Sequence, residues 1–285
     1  MSFLIILLCG FLSCTKVTIQ GRLARKSIKN TNDSILANCL IFAFTTILFS
    51  TSLIGGTSIN VIGYATFFGI FSASFQIFYA LALKTGPFSI SCMLINLSMI
   101  IPAVFSIIVF GEELTLLKII GFLMCLVAML LNTKNDDKKI NIKWFIYVIL
   151  AFLSTGGISV VQKIYAKSAF AGELPQFIAL GYFVAFLVTF IVSSIQRVRR
   201  AEINFKVNRS NIILILVIVT SLGAFQYFNT LANSFIDAIV LNPSVCGLST
   251  IFLTLSGRII FKEKLTLNQL WSVCVGLVAI ILISF

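Results

Sequence analysis

Ten apolar stretches follow one another along this chain, each about long enough to cross a bilayer as helix and each ended by charge, glycine, proline or asparagine. They run near 2–21, 34–54, 60–83, 87–110, 114–132, 144–166, 174–195, 211–233, 238–260 and 265–285. Roughly 20 helical residues cover about 30 Å of hydrocarbon, so 285 residues accommodate ten crossings with short loops. A soluble core could not absorb such a pattern, because 59% of the residues are hydrophobic and only 11% charged, against about a quarter charged in soluble domains. The expectation is an all-α integral membrane protein. The opening stretch from Ser2 to Thr15 lacks the positive residues that precede the apolar region of a signal peptide, and it reads as the first spanning helix.

The ten stretches divide into two related sets of five. A shift of 151 places Phe110-Gly-Glu112-Glu-Leu114-Thr115-Leu116 over Phe261-Lys-Glu263-Lys-Leu265-Thr266-Leu267. A shift of 150 brings Phe75-Gln76-x-Phe78-x-x-Leu81-Ala82 over Phe225-Gln226-x-Phe228-x-x-Leu231-Ala232, and one of 141 brings Phe11-Leu-Ser13 over Phe152-Leu-Ser154. The growing shifts are those of one unit copied once, with small insertions in its loops. The units are expected at 1–133 and 144–285, joined by a polar linker at 134–143. Five is odd, so the second unit enters the membrane from the opposite side. The fold class expected is ten transmembrane helices arranged as two inverted five-helix repeats, a symmetry from which secondary transporters obtain alternating access.

The net charge of +12 would suggest a nucleic-acid partner in a soluble chain, but no polar stretch interleaves bases with aromatics. Here 17 of the 21 basic residues lie in the connections after odd-numbered helices, which by the positive-inside rule places those loops in the cytoplasm and both termini outside. The partners expected are the lipid bilayer and a small polar metabolite, with no nucleic acid, and the assembly expected is a monomer or weak homodimer. Residue usage rich in Lys, Ile and Asn points to an AT-rich genome and a bacterial inner membrane.

The end-of-unit pattern carries a resemblance. Gly111-Glu112-Glu113-Leu114-Thr115 and Lys262-Glu263-Lys264-Leu265-Thr266 each precede a helix with small residues four apart, Gly121 and Cys125 in one and Ser272 and Gly276 in the other. In this the chain resembles the drug/metabolite transporter superfamily, the ten-helix transporters built from two EamA-type domains, over about residues 3–285. The resemblance implies a transporter and leaves the substrate open. It departs in the first helix, where Cys9-Gly10-Phe11-Leu12-Ser13 stands in place of the family's frequent Trp-Gly pair. It also implies termini in the cytoplasm, opposite to the charge bias.

Polar side chains inside the apolar stretches are the candidate substrate ligands. Gln76 and Tyr79 lie three apart in the third helix, as do Gln226 and Asn229 in the eighth, each pair on one helical face. Such amides either bind a zwitterionic or hydroxylated substrate or tie helices together at roughly 0.6 kcal/mol per bond. Asn96, with Ser91 and Ser98, precedes Pro102, and Asn242 precedes Pro243; a proline frees a carbonyl one turn earlier. Lys16 is the one charge well inside an apolar stretch, about 3 kcal/mol or more at the membrane centre, and would bind a carboxylate or phosphate unless it snorkels to the surface near Arg22. Lys163, opposite Arg22 in the second unit, reads as an end anchor. Glu112 and Glu263 read as helix-start caps. The small residues predict that the fifth and tenth helices pack together.

Several classes fall away. The chain has no histidine, and its seven cysteines form no CxxC pair, so neither a metal site nor an imidazole base is expected, no cofactor is implied, and an enzyme is not expected. No carboxylate lies mid-helix, which argues against a proton relay deep in the membrane. The reading is a secondary transporter, exporter or importer, of small polar metabolites such as amino acids; the alternatives are a flippase of lipid-linked carriers and a non-transport membrane scaffold.

Overall fold

A computed structural model describes residues 2–86, 91, 94–113, 115–131, 141–198, 204–205, 207–261 and 267–283. Among the described residues are ten α-helices: α1 (Ser2–Ser27), α2 (Thr31–Phe49), α3 (Ile59–Thr85), α4 (Ile100–Phe110), α5 (Leu116–Leu131), α6 (Ile142–Ala166), α7 (Leu174–Val198), α8 (Arg209–Ala232), α9 (Ala238–Phe261) and α10 (Leu267–Ile283). Seven are long and apolar enough to cross a membrane, and three shorter apolar helices, 94–110, 116–128 and 271–282, complete the ten. Most of the expected linker, and Glu263 with it, lies outside the described residues.

The helix boundaries follow local chemistry. Asn30 caps α2 by accepting from the Asp33 N–H while Asp33 accepts from the Asn30 N–H. Asn141 caps α6 at Trp144 (2.8 Å) and Asn208 caps α8 at Asn211 (2.9 Å), satisfying N–H groups that no earlier turn can reach. Gly111 ends α4 in the left-handed region at φ 64°, a conformation glycine adopts without Cβ strain. Helix α1 departs from its expected limits by running past Gly21 to Ser27, with Arg25 and Lys26 in its last turn. Cations there face free carbonyls and the negative end of the helix dipole, so the basic run extends the helix where it was expected to end it. Lys16 consequently stands near the middle of α1.

The most extensive interfaces join the two halves. α1 packs on α8 and α9, α2 on α7 and α8, α3 on α6 and α7, α4 on α6 and α9, and α5 on α10. Exchanging the first five helices with the last five carries these contacts onto one another; a further cross-half contact, α5 with α9, has no counterpart of that size among the described residues. Small residues set the approach, as expected where lipid is as apolar as the protein and packing must drive association. A Cβ on Gly69 of α3 would stand 2.3 Å from the Gly181 carbonyl oxygen of α7, and one on Gly156 of α6 would stand 2.3 Å from the Ile101 side chain. The expected α5–α10 contact is present, with the Ser272 hydroxyl donating to the Ala128 carbonyl at 2.7 Å. It is looser than the α3–α7 crossing, because a Cβ on Gly276 would meet only Ile251 and Ala128, at 3.5–3.8 Å. Around the crossing the main core gathers aromatic rings: Tyr165 stacks on Phe177 with centroids 4.0 Å apart, and Phe68 lies against Phe177 and Tyr182.

Candidate functional site

The connections 2–3, 4–5, 6–7 and 8–9 share one end of the bundle, called here the even face; the others share the odd face. Helix α1 leaves the even face and α8 returns to it, and their register is fixed by Lys26 donating to Ser210 and Ser27 donating to Asn211. Lys16 therefore lies level with about Ser221, near mid-depth, and Gln226 lies about 7 Å nearer the even face at 1.5 Å per residue.

Gln226 and Asn229 are buried on one face of α8, as their spacing predicted. What organises them is a residue the sequence reading did not single out, Gln162 of α6. Its Nε2 donates to Gln226 Oε1 and to Thr230 Oγ1, both at 2.7 Å, and its Oε1 accepts from Asn229 Nδ2 at 3.4 Å. Asn233, one turn further, donates to the Asn229 carbonyl at 2.8 Å, and its buried Oδ1 has no hydrogen-bond partner among the described residues. Four amides and a hydroxyl thus meet where α6 approaches α8.

The other candidates stand apart from this cluster. Gln76 is half-buried on α3, and Tyr79 stacks on Phe75 with centroids 5.4 Å apart, in the core patch around Trp144. Asn96 is exposed. Lys16 is half-buried, and among the described residues no carboxylate pairs with it. Hydroxyls flank it along the α1–α9 seam, Ser13 with Ser249 and Thr18 with Ser256, each pair at 3.1 Å. The amide of Asn242 turns back to the Ala238 carbonyl at 3.0 Å, and α9 continues through Pro243.

Two charged residues have roles different from those expected. Lys163 is not an end anchor: it is fully buried, and its Nζ lies 2.7 Å from Glu112 Oε1 and donates to the Ile236 carbonyl at 2.9 Å. Glu112 does not cap the helix that follows it. Gly111 turns the chain so that Glu112 Oε2 accepts from the Ala238 and Ile239 N–H groups, 2.8 and 3.3 Å away, at the start of α9. The carboxylate therefore meets the positive end of another helix. Removing either partner of such a buried pair strands the other charge, at about 3–5 kcal/mol. A second bridge, Lys118 to Asp237 at 3.3 Å, lies beside it.

Carboxylates also hold the 2–3 and 7–8 connections, each from the opposite half. Asp33, fully buried at the start of α2, accepts from the Lys29 and Asn30 N–H groups and, through its other oxygen, from those of Asn204 (2.6 Å) and Phe205 (2.9 Å). Glu173, just before α7, accepts from the backbone N–H of Ser58 at 2.8 Å and from its hydroxyl. The first clamp is on the odd face and the second on the even face. No group of three or more metal-ligating side chains occurs among the described residues.

Ten helices of this length, apolarity and cross-half pairing define a multi-pass membrane protein, and the comparisons supply its class, a membrane transporter of the drug/metabolite type. Residues 4–134, just under half of the chain, match the model of the EamA-like transporter family. No curated protein matches the sequence. The fold extends over the whole chain: a solved crystal structure superposes with a TM-score of 0.74 at 15% identity, covering 97% of this chain and 95% of the other.

Proposed function

We propose that this transporter carries a small polar metabolite with a carboxylate or phosphate group, such as an amino acid, by secondary transport with alternating access. The observation that carries the reading is Lys16, a cation near the middle of a spanning helix, half-buried among hydroxyls and with no carboxylate partner among the described residues. A cation at that depth is costly unless an anion or water accompanies it. The amide cluster of Gln162, Gln226 and Asn229, about 7 Å nearer the even face along the helix rise, supplies donors and acceptors suited to an ammonium or hydroxyl group on the same molecule.

A flippase of lipid-linked carriers would need an opening toward lipid with a site for a charged headgroup. A flank groove of about 350 Å³ does lie between α3 and α6, but Asn60, Gly63, Tyr64, Phe67, Val161 and Ile164 line it, with no charge among them. This favours the soluble metabolite.

The test is a thermal-shift screen of amino acids, organic acids and sugar phosphates on the purified protein, since a ligand stabilises the state it binds. Hits are then assayed for saturable uptake into vesicles. Lys16→Met should remove both the shift and the uptake for anionic compounds while leaving the ligand-free melting temperature within a few degrees. Undiminished uptake by Lys16→Met would refute the assignment.

A further inference from the structure

We infer that Glu112 and Lys163 form the latch that closes the even face of the transporter, and that its release exposes the amide cluster to that side. The inference deepens the transport reading by naming one of its gates.

Four tethers converge on the short connection between α8 and α9. Lys163 donates to the Ile236 carbonyl and Lys167 to that of Ser234, both at 2.9 Å. Lys118 pairs with Asp237, and Glu112 accepts from the first two N–H groups of α9. Two of these groups, Glu112 and Lys118, come from the 4–5 connection and α5 of the first half. Besides the Glu113 carbonyl, to which Lys118 also donates, what they hold belongs to the second half. The contact therefore spans the boundary between halves at the even face, as the Asp33 clamp does at the odd face.

Its chemistry suits repeated opening. An apolar contact of this size would gain nothing by exchanging protein for lipid, whereas a buried ion pair exchanges its partners for water when the face opens. Low dielectric strengthens the pair while water is excluded, and hydration compensates both charges once it enters. The closed and open states are thus each satisfied, while a half-open state with one dry, unpaired charge is not. Such a contact has two positions rather than a continuum.

The latch also adjoins the proposed site covalently. Lys163 follows Gln162, whose amide holds Gln226, Asn229 and Thr230. Thr230, 1% exposed, lies in the last turn of α8, and Asn233, 0% exposed, opens the tethered connection itself. Freeing that connection uncovers them from the even face.

The test measures access without requiring a substrate. Thr230→Cys is placed in a variant whose native cysteines are replaced, and a charged, membrane-impermeant maleimide is applied to each face of oriented vesicles. With the latch intact, labelling is slow from both faces. Glu112→Gln, which removes the charge and one acceptor, should raise the rate at least tenfold from the even face alone, and Lys163→Met should do the same. If Glu112→Gln fails to fold, Glu112→Asp retains the charge but draws it back by one methylene, and a several-fold rise is expected. An unchanged rate in variants that melt normally overturns the latch, as does an equal rise from both faces, which would mean general loosening. Labelling that behaves as stated, while vesicles of the unsubstituted protein transport no metabolite, would instead count against the transport reading and leave the latch standing.

Discussion

Replacing Gly69 by alanine adds one methyl group to the face of α3 that crosses α7, and the structure gives its surroundings. The new Cβ would lie 2.3 Å from the Gly181 carbonyl oxygen and 2.7 Å from Val184 Cβ. An ordinary carbon–oxygen contact is about 1 Å longer, so the helices must part or slide by about that distance. The obstacle is main chain and cannot rotate away. Overpacking in a well-filled interior costs typically about 1–3 kcal/mol, and the crossing carries the tilted and edge-to-face rings of Phe68, Phe177 and Tyr182 with it, which places the expected loss at the upper end of that range. Gly276→Ala is the control of identical chemistry. Its Cβ would have contacts at 3.5–3.8 Å, which is ordinary packing, and alanine is the better helix former by about 0.8–1 kcal/mol. Unfolding in mixed detergent and dodecyl sulfate, followed by fluorescence of the buried Trp144, should show Gly69→Ala destabilised by about 2–3 kcal/mol and Gly276→Ala neutral or more stable. The reverse order would refute the tight α3–α7 crossing on which the packing account rests.

Other expectations are independent of that crossing. Gln162→Leu removes both bonds that α6 donates into the amide cluster and the one it accepts, and at about 0.6 kcal/mol for each membrane hydrogen bond it should lower stability by about 1–2 kcal/mol in the same unfolding assay. Asp33→Ala leaves the Asn204 and Phe205 N–H groups without their acceptor; hydrogen exchange at those two amides should accelerate at least tenfold while amides in the middle of α3 remain protected. Orientation has a direct reading: the loop charges predict that a cysteine placed at 135–141 stays unlabelled by an impermeant reagent added outside intact cells, and labelling there would reverse the assignment of faces.

Much of the architecture is legible in the sequence because bilayer thickness fixes helix length and small residues four apart mark close contacts. The α5–α10 packing was readable from Ser272 and Gly276 for that reason. The polar contacts were less so. Gln226 and Asn229 announce a shared face, but their partner Gln162 lies on another helix, 64 and 67 residues away, and no periodicity links them. The internal repeat even misleads here. Gln76 is the counterpart of Gln226, but the position 141 residues before Gln162 is Gly21, so the first half lacks the amide that would complete the same cluster. Lys163 and Glu112 sit near helix ends, where charges ordinarily meet water, and only the three-dimensional return of the 8–9 connection buries them. The Asp33 clamp is silent in sequence for a different reason: its distant partners are main-chain N–H groups, which every residue type but proline carries.

Pairing across the halves also bears on how such a chain is made. Helix α1 leaves the ribosome well before its main partner α8, which begins only at Arg209, about 180 residues later. At roughly 5–20 residues per second of synthesis, α1 waits on the order of 10–40 seconds in the membrane with Lys16 and its hydroxyl seam uncovered. For that interval the nascent protein depends on the insertion machinery, or on lipid headgroups and water drawn inward, to shelter what its own second half will eventually cover.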